Sequence, residues 1–102
     1  MNRISVDMAV PASHPALPGH FPGQPIVPGV VLLAMAHEQA RAHIGFTTGP
    51  TRWSRIKFLR PILPEQPFRV IVEGDEQRFN FQIETSAGEA VARGQCRHAK
   101  LA

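Results

Sequence analysis

Prolines concentrate in one stretch near the N-terminus and limit what that stretch can form. Six of the ten prolines lie within residues 11–28, at positions 11, 15, 18, 22, 25 and 28. Proline fixes the backbone angle φ and has no N–H to donate, so the stretch is predicted to be neither a helix nor a central strand. Because Leu17, Phe21, Ile26 and Val27 give it apolar side chains to bury, we expect an extended, ordered loop.

A single convincing helix follows this loop, over about residues 28–44. Pro28 suits the first helical position, where its missing N–H costs nothing, and Gly45 is placed to end the helix in a left-handed cap. Every residue from Val30 to Ala36 is apolar. A helix that is apolar nearly all round is typical of a buried element, so this helix is predicted to be covered on most sides.

Five further stretches are predicted to be β-strands. They are residues 2–10, 53–59, 68–73, 79–84 and 89–99. Their close spacing after the helix favours an antiparallel meander. One curved antiparallel sheet is the economical way to bury an apolar helix. The predicted fold class is therefore α+β, with one long central helix wrapped by a curved sheet of about five strands, as a single domain over residues 1–102.

Composition excludes several classes of protein. Hydrophobic residues make up 43% and charged residues 19%, which is typical of a folded globular protein. A single cysteine, Cys96, excludes an internal disulfide and a cysteine-rich metal site. The sequence contains neither a signal peptide nor an apolar run long enough to cross a bilayer, so we expect a cytoplasmic protein. We also expect no metal or organic cofactor and no nucleic-acid partner, and a homo-oligomer to compensate for a small core.

His20 is the histidine whose surroundings point to chemistry. It lies within Gly19-His20-Phe21-Pro22-Gly23, where glycines allow close backbone approach and prolines limit movement. A histidine that is held in this way is preorganised. Since its ordinary pKa of about 6.5 suits proton abstraction near neutral pH, His20 is the candidate general base.

The helix start, Pro28-Gly29-Val30, is the second candidate feature. The first N–H groups of a helix have no intrahelical partner and lie at the positive end of the helix dipole. They can bind a carbonyl oxygen and stabilise the enolate-like charge that develops when an α-proton leaves. Gly29 would let an acyl chain approach closely. The alternative is an ordinary helix that begins with proline.

Two segments carry a family resemblance. The run GHFPGQPIVPGV, from Gly19 to Val30, resembles the signature of the 3-hydroxyacyl-[acyl-carrier-protein] dehydratases, and KFLRPILP, from Lys57 to Pro64, is similar to the strand after their helix. The segment His14–Pro18 looks like the short dehydratases of aryl-polyene and pigment clusters. The resemblance spans residues 12–97. It implies the hot-dog fold, a dimer, and a substrate linked through phosphopantetheine to an acyl carrier protein.

The resemblance also implies roles for individual residues. His20 would remove the α-proton of the substrate, and the N–H of Gly29 would hold the thioester carbonyl. The residues around them are expected to bind the substrate. These are Phe21, Pro28, Val30, Ala34 and Phe58.

The acid of the family does not carry over. An Asp or Glu one turn further into the helix, from the partner subunit, protonates the leaving hydroxyl in the family, and its position here is Ala34. Glu38 lies one more turn along the same helix face, roughly 6 Å away along the axis, and is the predicted catalytic replacement; His37 is a second option. The alternative is that Glu38 pairs with Arg41 or Arg55.

Four hypotheses therefore stay open. The first is a working hydro-lyase that converts a 3-hydroxyacyl thioester to the trans-2-enoyl thioester in fatty-acid-like or polyene biosynthesis. The second is a catalytically incomplete subunit that completes its site with a different hot-dog protein. The third is an acyl-carrier-binding domain without activity, and a hot-dog thioesterase is a weaker fourth.

A local concentration of basic residues suits an acidic carrier protein. Of Arg52, Arg55, Lys57 and Arg60, we expect the last three to bind the carrier, because a complementary field mostly raises the encounter rate. Strict alternation along the strand places Arg55 and Lys57 on the face of Trp53, with the other two arginines on the opposite face. The alternative is a solvated strand face.

Overall fold

The computed structural model describes residues 2–17, 26–47 and 49–99. Their order along the chain is β1 (Asn2–Met8), α1 (Gly29–Ile44), β2 (Thr51–Phe58), β3 (Phe68–Gly74), β4 (Arg78–Thr85) and β5 (Ala90–His98). The predicted elements agree with these bounds to within two residues. At 16 residues, α1 is too short to cross a membrane, and it is the only α-helix in the described part of the chain.

The five strands form one antiparallel sheet in the order β1-β3-β4-β5-β2. Strands β3, β4 and β5 form a meander. The predicted meander also included β2, which is wrong, because β2 pairs with β5 at one edge of the sheet, while β1 lies at the other edge. Gly45, with φ of 72°, ends α1 in the left-handed conformation that its position predicts. The predicted α+β architecture, a single helix packed on a five-stranded antiparallel sheet in the hot-dog arrangement, is confirmed.

The core lies between α1 and one face of the sheet. Its helical members are Val31, Leu32, Ala36, Ala40 and Ile44. From the sheet come Phe68, Val70, Val72, Phe79, Phe81, Ile83, Ala92 and Cys96. Alternate residues of the same strands face solvent, as expected for an antiparallel sheet with one covered face. The solvent-facing side is called the outer face below.

One side of α1 is open, contrary to the prediction that the helix is covered on most sides. Val30 is 72% exposed and Ala34 is also exposed, one turn further along the same side. The prediction is wrong for the single chain because a sheet on one side of a helix covers only that side. At its N-terminal half this side carries small and apolar residues, which is unusual for a solvated helix face, whereas Glu38 and Arg41 follow further along it.

The predicted arrangement of side chains along β2 is also wrong, because the strand contains a bulge. Its pairing with β5 shifts between Ser54 and Lys57, and Arg55 has φ of 56°. Trp53 and Ile56 both pack against the core although they are three residues apart. The extra residue of the bulge therefore turns Arg55 and Lys57 to the outer face, on the opposite side of the sheet from Trp53.

The bulge gives a stability prediction. A Cβ at Gly94 would lie 2.3 Å from Cδ1 of Ile56 and 2.8 Å from Cε1 of the buried Phe81. We expect Gly94→Ala to lower the free energy of unfolding by about 1–3 kcal/mol, as overpacking does, in urea denaturation. Adding Ile56→Ala makes room, so the double variant should lose less than the sum of the two single losses. Simple additivity of the two losses would contradict this contact.

Candidate active site at the helix start

The two segments that carry the family resemblance lie side by side in the structure. The N–H of Val27, just before α1, donates a hydrogen bond of 2.9 Å to the carbonyl of Ile62, just after β2. Both side chains are buried. Leu59 donates a further backbone hydrogen bond of 2.7 Å to Val91 of β5, which ties this segment to the sheet. Residues more than thirty positions apart in the sequence thus meet at the start of the helix.

Gly29 and Phe58 make the closest contact of this site. A Cβ at position 29 would lie 2.6 Å from Cζ and 2.9 Å from Cε1 of the Phe58 ring. A side chain at position 29 therefore fits only if the Phe58 ring or the first turn of α1 moves. The sequence predicted that Gly29 allows the close approach of a substrate; in the structure the Phe58 ring takes the position of the missing Cβ. The ring is 52% exposed and forms one wall of the site.

An open cleft of about 430 Å³ lies against the helix start. Its lining consists of Ile26, Val27, Pro28, Gly29, Leu32, Phe58, Leu59, Arg60, Pro61 and Ile62. Nearly all of these residues are apolar. Pro28 offers no side-chain cap, and the first turn of α1 contains no acidic residue, so neither compensates the positive end of the helix. An apolar cleft beside helix N–H groups suits an acyl chain that ends in a carbonyl.

His20 and Phe21 lie outside the described residues, so their roles stay predictions from the motif. The chain is held on both sides of residues 18–25. Leu17 is buried, and its N–H donates to the carbonyl of His14 at 3.1 Å. On the other side, buried Val27 is bonded to the segment after β2. Both anchors belong to the same hydrophobic core.

Glu38 is held by a neighbour on its own helix. Arg41 donates from Nε to Oε2 of Glu38 at 2.9 Å, and both side chains are about half exposed. The hydrogen bond from Arg41 lowers the pKa of Glu38 below the ordinary glutamate value. A general acid at neutral pH needs a raised pKa, so this pairing disfavours the predicted catalytic role. It matches the alternative in which Glu38 pairs with Arg41.

His37 lies among aromatic side chains from three other parts of the chain. Its ring centroid is 5.4 Å from that of Phe46, 6.4 Å from Trp53 and 6.5 Å from Phe79. These contacts place the half-buried imidazole towards the sheet, whereas Ala34 lies on the open side of α1. No sequence pattern predicts this cluster, because its members are separated along the chain and meet only through tertiary packing.

The three residues predicted to bind a carrier protein fall in two places. Arg60 lines the cleft, where it pairs with Glu89 at 3.0 Å and donates from Nε to the carbonyl of Ala90 at 3.1 Å. Arg55 and Lys57 lie on the outer face of the sheet. The structure therefore brings only Arg60 to the candidate active site.

The residues that the structure describes include no group of three or more His, Cys, Asp or Glu side chains placed to hold a metal ion. Burial raises the pKa of the Cys96 thiol to about 11, so this thiol is protonated at neutral pH. Because the thiolate is the nucleophilic form of cysteine, Cys96 serves here as a small apolar core residue.

Sequence comparison identifies the family to which the chain is related. A family model described as ApeI dehydratase matches residues 1–95. The 3-hydroxyacyl-[acyl-carrier-protein] dehydratase FabZ of Gluconacetobacter diazotrophicus is 32% identical over 80 residues, which cover 70% of this chain and 50% of the relative. The chain spans about half the length of the curated relatives that it matches first. The predicted resemblance to hot-dog dehydratases is confirmed.

Comparison with solved structures supports the fold. The dehydratase heterocomplex ApeI:P from Xenorhabdus doucetiae superposes with a TM-score of 0.81 at 19% identity, over 96% of this chain and 88% of that one. The R-hydratase PhaJ1 from Pseudomonas aeruginosa gives a TM-score of 0.63 at 14% identity, over 99% and 86%. At identities of 19% and 14%, these two comparisons support the fold alone.

Proposed function

Since the chain belongs to the ApeI-like dehydratase family, we propose that it takes part in dehydrating a 3-hydroxyacyl thioester to the trans-2-enoyl thioester. One observation carries the proposal. The described part of the His20 motif and the end of β2 meet at Gly29 and Phe58, beside an apolar cleft at the helix start. The substrate is proposed to be linked to an acyl carrier protein, in a fatty-acid-like or polyene pathway.

We propose a group of the site for each step of the elimination. The thioester carbonyl accepts a hydrogen bond from the Gly29 N–H, where the helix dipole stabilises the negative charge that builds on oxygen. His20 takes the α-proton, and the electron pair of that C–H bond forms the new double bond. The bond from the β-carbon to the hydroxyl breaks, and the hydroxyl leaves as water after it receives a proton.

The source of that last proton is proposed to lie outside this helix. Ala34 stands at the family's acid position, and Glu38 is tied to Arg41. In a homodimer both helices carry alanine there, so the proton would return from His20 or from water. A different hot-dog subunit that carries a carboxylate at this position would supply it directly.

The exposed apolar residues favour such an assembly. Among the described residues, the exposed large hydrophobic side chains are Val30, Phe58, Leu59 and Leu63, and all four lie in the two motif segments. Exposed apolar side chains that gather in one region are typical of interaction and ligand sites. A second hot-dog subunit that covers the open side of α1 would bury Val30 and bring its own helix next to Ala34. The structural neighbour described as a dehydratase heterocomplex is consistent with this arrangement.

A turnover assay tests the proposal and the source of the acid. The purified chain is incubated with 3-hydroxyacyl and trans-2-enoyl thioesters, alone and with a second hot-dog protein. We expect Ala34→Glu to raise the rate of the isolated chain by about 10–100-fold, because a positioned acid contributes typically 10²–10⁴ and this one is not optimised. Glu38→Gln should change the rate less than about twofold, because this carboxylate is exposed and paired.

Ala34→Gln is the matched control, since glutamine has nearly the size of glutamate without the proton. An equal gain from Ala34→Gln would contradict the acid role. Loss of activity in Glu38→Gln would instead place the acid one turn further along the helix. If the isolated wild type is inert but becomes active on mixing with a second hot-dog protein, the chain is the incomplete subunit of a shared site. Light scattering on the same mixtures gives the mass of the assembly.

A further inference from the structure

Five exposed basic side chains of β2 and β5 share the outer face of the sheet, opposite α1. Arg52, Arg55 and Lys57 come from β2, and Arg93 and Arg97 come from β5. They are called the basic face here. In the register of the two strands, Arg52 lies opposite Arg97 and Lys57 lies opposite Arg93. The bulge in β2 adds Arg55, which lines a shallow depression together with Lys57 and Arg93.

This arrangement places like charges next to each other. Arg78 of β4 lies opposite Arg97 on the other side of β5, so Arg52, Arg97 and Arg78 stand abreast across three strands. Like charges that are directly opposite in an antiparallel pair destabilise the sheet. Two acids, Asp75 and Glu76, line a depression with Arg78 and Arg97 at this end, and neither forms an ion pair with them. Asp75 instead accepts hydrogen bonds from the backbone N–H groups of Gln77 and Arg78 in its own turn.

The other half of the same face is neutralised. Arg69 of β3 pairs with Asp7 at 3.3 Å and with Glu84 at 2.8 Å. Arg3 of β1 pairs with Glu73 at 3.7 Å. No member of the basic face forms an ion pair within residues 2–17, 26–47 and 49–99. These described residues include all eight acidic side chains of the sequence. Positive charge is therefore concentrated on the β5–β2 half.

Protection of the sheet edge explains only part of this pattern. Strand β2 is an edge, and charged side chains and bulges are usual devices that prevent edge-to-edge pairing. They account for the basic residues of β2. Strand β5, however, is paired on both sides, with β4 and with β2. Arg93 and Arg97 therefore protect no edge.

We propose that the basic face is a docking surface for an acidic protein helix, separate from the cleft at Gly29. Along β5, the outward residues Arg97, Gln95 and Arg93 recur about every 6.6–6.8 Å. Residues four apart on a helix recur about every 6 Å, so a helix with glutamates at that spacing places a carboxylate near each of the three. The polar side chains Asn80 and Gln82 flank this row and offer further hydrogen bonds.

The chemistry of this face favours a protein over a nucleic acid. Single-stranded nucleic acids bind where basic residues alternate with exposed aromatic side chains on which the bases stack. In the described part of the chain, the Phe and Trp residues of β2 and β4 lie on the core side or, for Phe58, against Gly29, and β5 contains no Phe, Trp or Tyr. The residues between the arginines are amides, which pair readily with carboxylates and backbone groups.

Two peptides test the proposal. One is a 20-residue helical peptide with glutamate at every fourth position, and the other has the same composition with its glutamates spread around the helix. Binding is measured by fluorescence anisotropy at low salt with wild type, with Arg93→Gln/Arg97→Gln, and with the matched control Arg3→Gln/Arg41→Gln. The two double variants lose the same net charge, but the control residues lie off the basic face.

We expect the aligned peptide to bind more tightly than the spread one, and its affinity to fall with added NaCl. Arg93→Gln/Arg97→Gln should raise its Kd about tenfold, whereas the control should change it less than about twofold. The melting temperature of Arg93→Gln/Arg97→Gln should stay equal or rise, because repulsion across β5 is removed. Its turnover of a coenzyme A thioester should equal that of wild type, which separates this test from the proposed dehydration.

Three outcomes would overturn the proposal. Equal weakening by both double variants would show a response to net charge alone. Tighter binding of a 20-nucleotide single-stranded DNA than of the aligned peptide, lost in Arg93→Gln/Arg97→Gln, would assign the face to nucleic acid. Equal affinity for the two peptides would show that the carboxylates need no alignment.

Discussion

Replacing His20 with alanine is expected to lower the rate of dehydration by about 10²–10⁴-fold, the usual contribution of a positioned general base. In the proposed mechanism the α-proton then has no acceptor, whereas the acyl chain still binds in the apolar cleft at the helix start. KM should therefore change much less than kcat. Steady-state kinetics with a 3-hydroxyacyl thioester, or with the enoyl thioester in the reverse direction, measures both constants.

His20→Gln is the matched variant, because it keeps a polar side chain of similar length without a basic nitrogen. It should lose as much activity as alanine. Thermal unfolding of both variants controls for stability, since loss of fold would lower activity for an unrelated reason. A folded His20→Ala protein that retains the wild-type rate would contradict the assignment of His20 as the base.

Gly29→Ala is the second variant for which we expect a large effect. Its Cβ would lie 2.6 Å from Cζ of Phe58, so either the ring or the first turn of α1 has to move. A displacement of about 1 Å in a positioning group can cost about 10²-fold in rate, and we expect a loss of that order in kcat. The same crowding should lower the free energy of unfolding by about 1–3 kcal/mol.

A double variant separates crowding from other effects. Gly29→Ala/Phe58→Ala removes the ring that the new methyl group would meet, and it keeps the N–H at position 29. It should recover much of the stability that Gly29→Ala loses, with Phe58→Ala alone as the reference for the missing wall of the cleft. If Gly29→Ala is as stable and as active as wild type, the close packing of Phe58 on the helix start is not important for the site.

Local signals in the sequence predicted the fold well. Pro28 and Gly45 marked the two ends of the helix because each has a backbone preference that suits only that position. The strands followed from alternation and from the turns between them. Two contacts between distant parts of the chain could not be predicted from such local signals. The contact of Gly29 with Phe58 and the hydrogen bond from Val27 to Ile62 depend on how the sheet brings distant segments together.

The sequence failed where one pattern has two physical causes. An apolar run from Val30 to Ala36 is the same whether the chain covers it with its own sheet or leaves part of it for a second subunit. The bulge at Arg55 escaped for a different reason. Nothing in an arginine predicts a positive φ, so the bulge was not expected. Strict alternation therefore assigned the residues after the bulge to the wrong face of β2. That error hid the fact that the basic residues of β2 and β5 share one face.

The residues of the candidate site stay predictions from the family motif, which named His20 and Gly29. His20 lies outside the described residues, and the structure shows that Gly29 lines an apolar cleft. The sequence left two interpretations of Glu38, a catalytic acid or the partner of an arginine. Only the geometry of the side chains distinguishes between them. Its hydrogen bond from Arg41 favours the ion pair, and the source of the acid therefore stays part of the proposal.

Identification of the reaction product is the most direct test of the proposed chemistry. A 3-hydroxyacyl thioester is incubated with the wild-type chain, alone and together with a second hot-dog subunit, and the products are separated by mass spectrometry. We predict a product lighter by one water, the trans-2-enoyl thioester, and the reverse hydration when that thioester is supplied. Release of a free thiol with an intact 3-hydroxy acid, or no conversion with any hot-dog partner, would contradict the proposal.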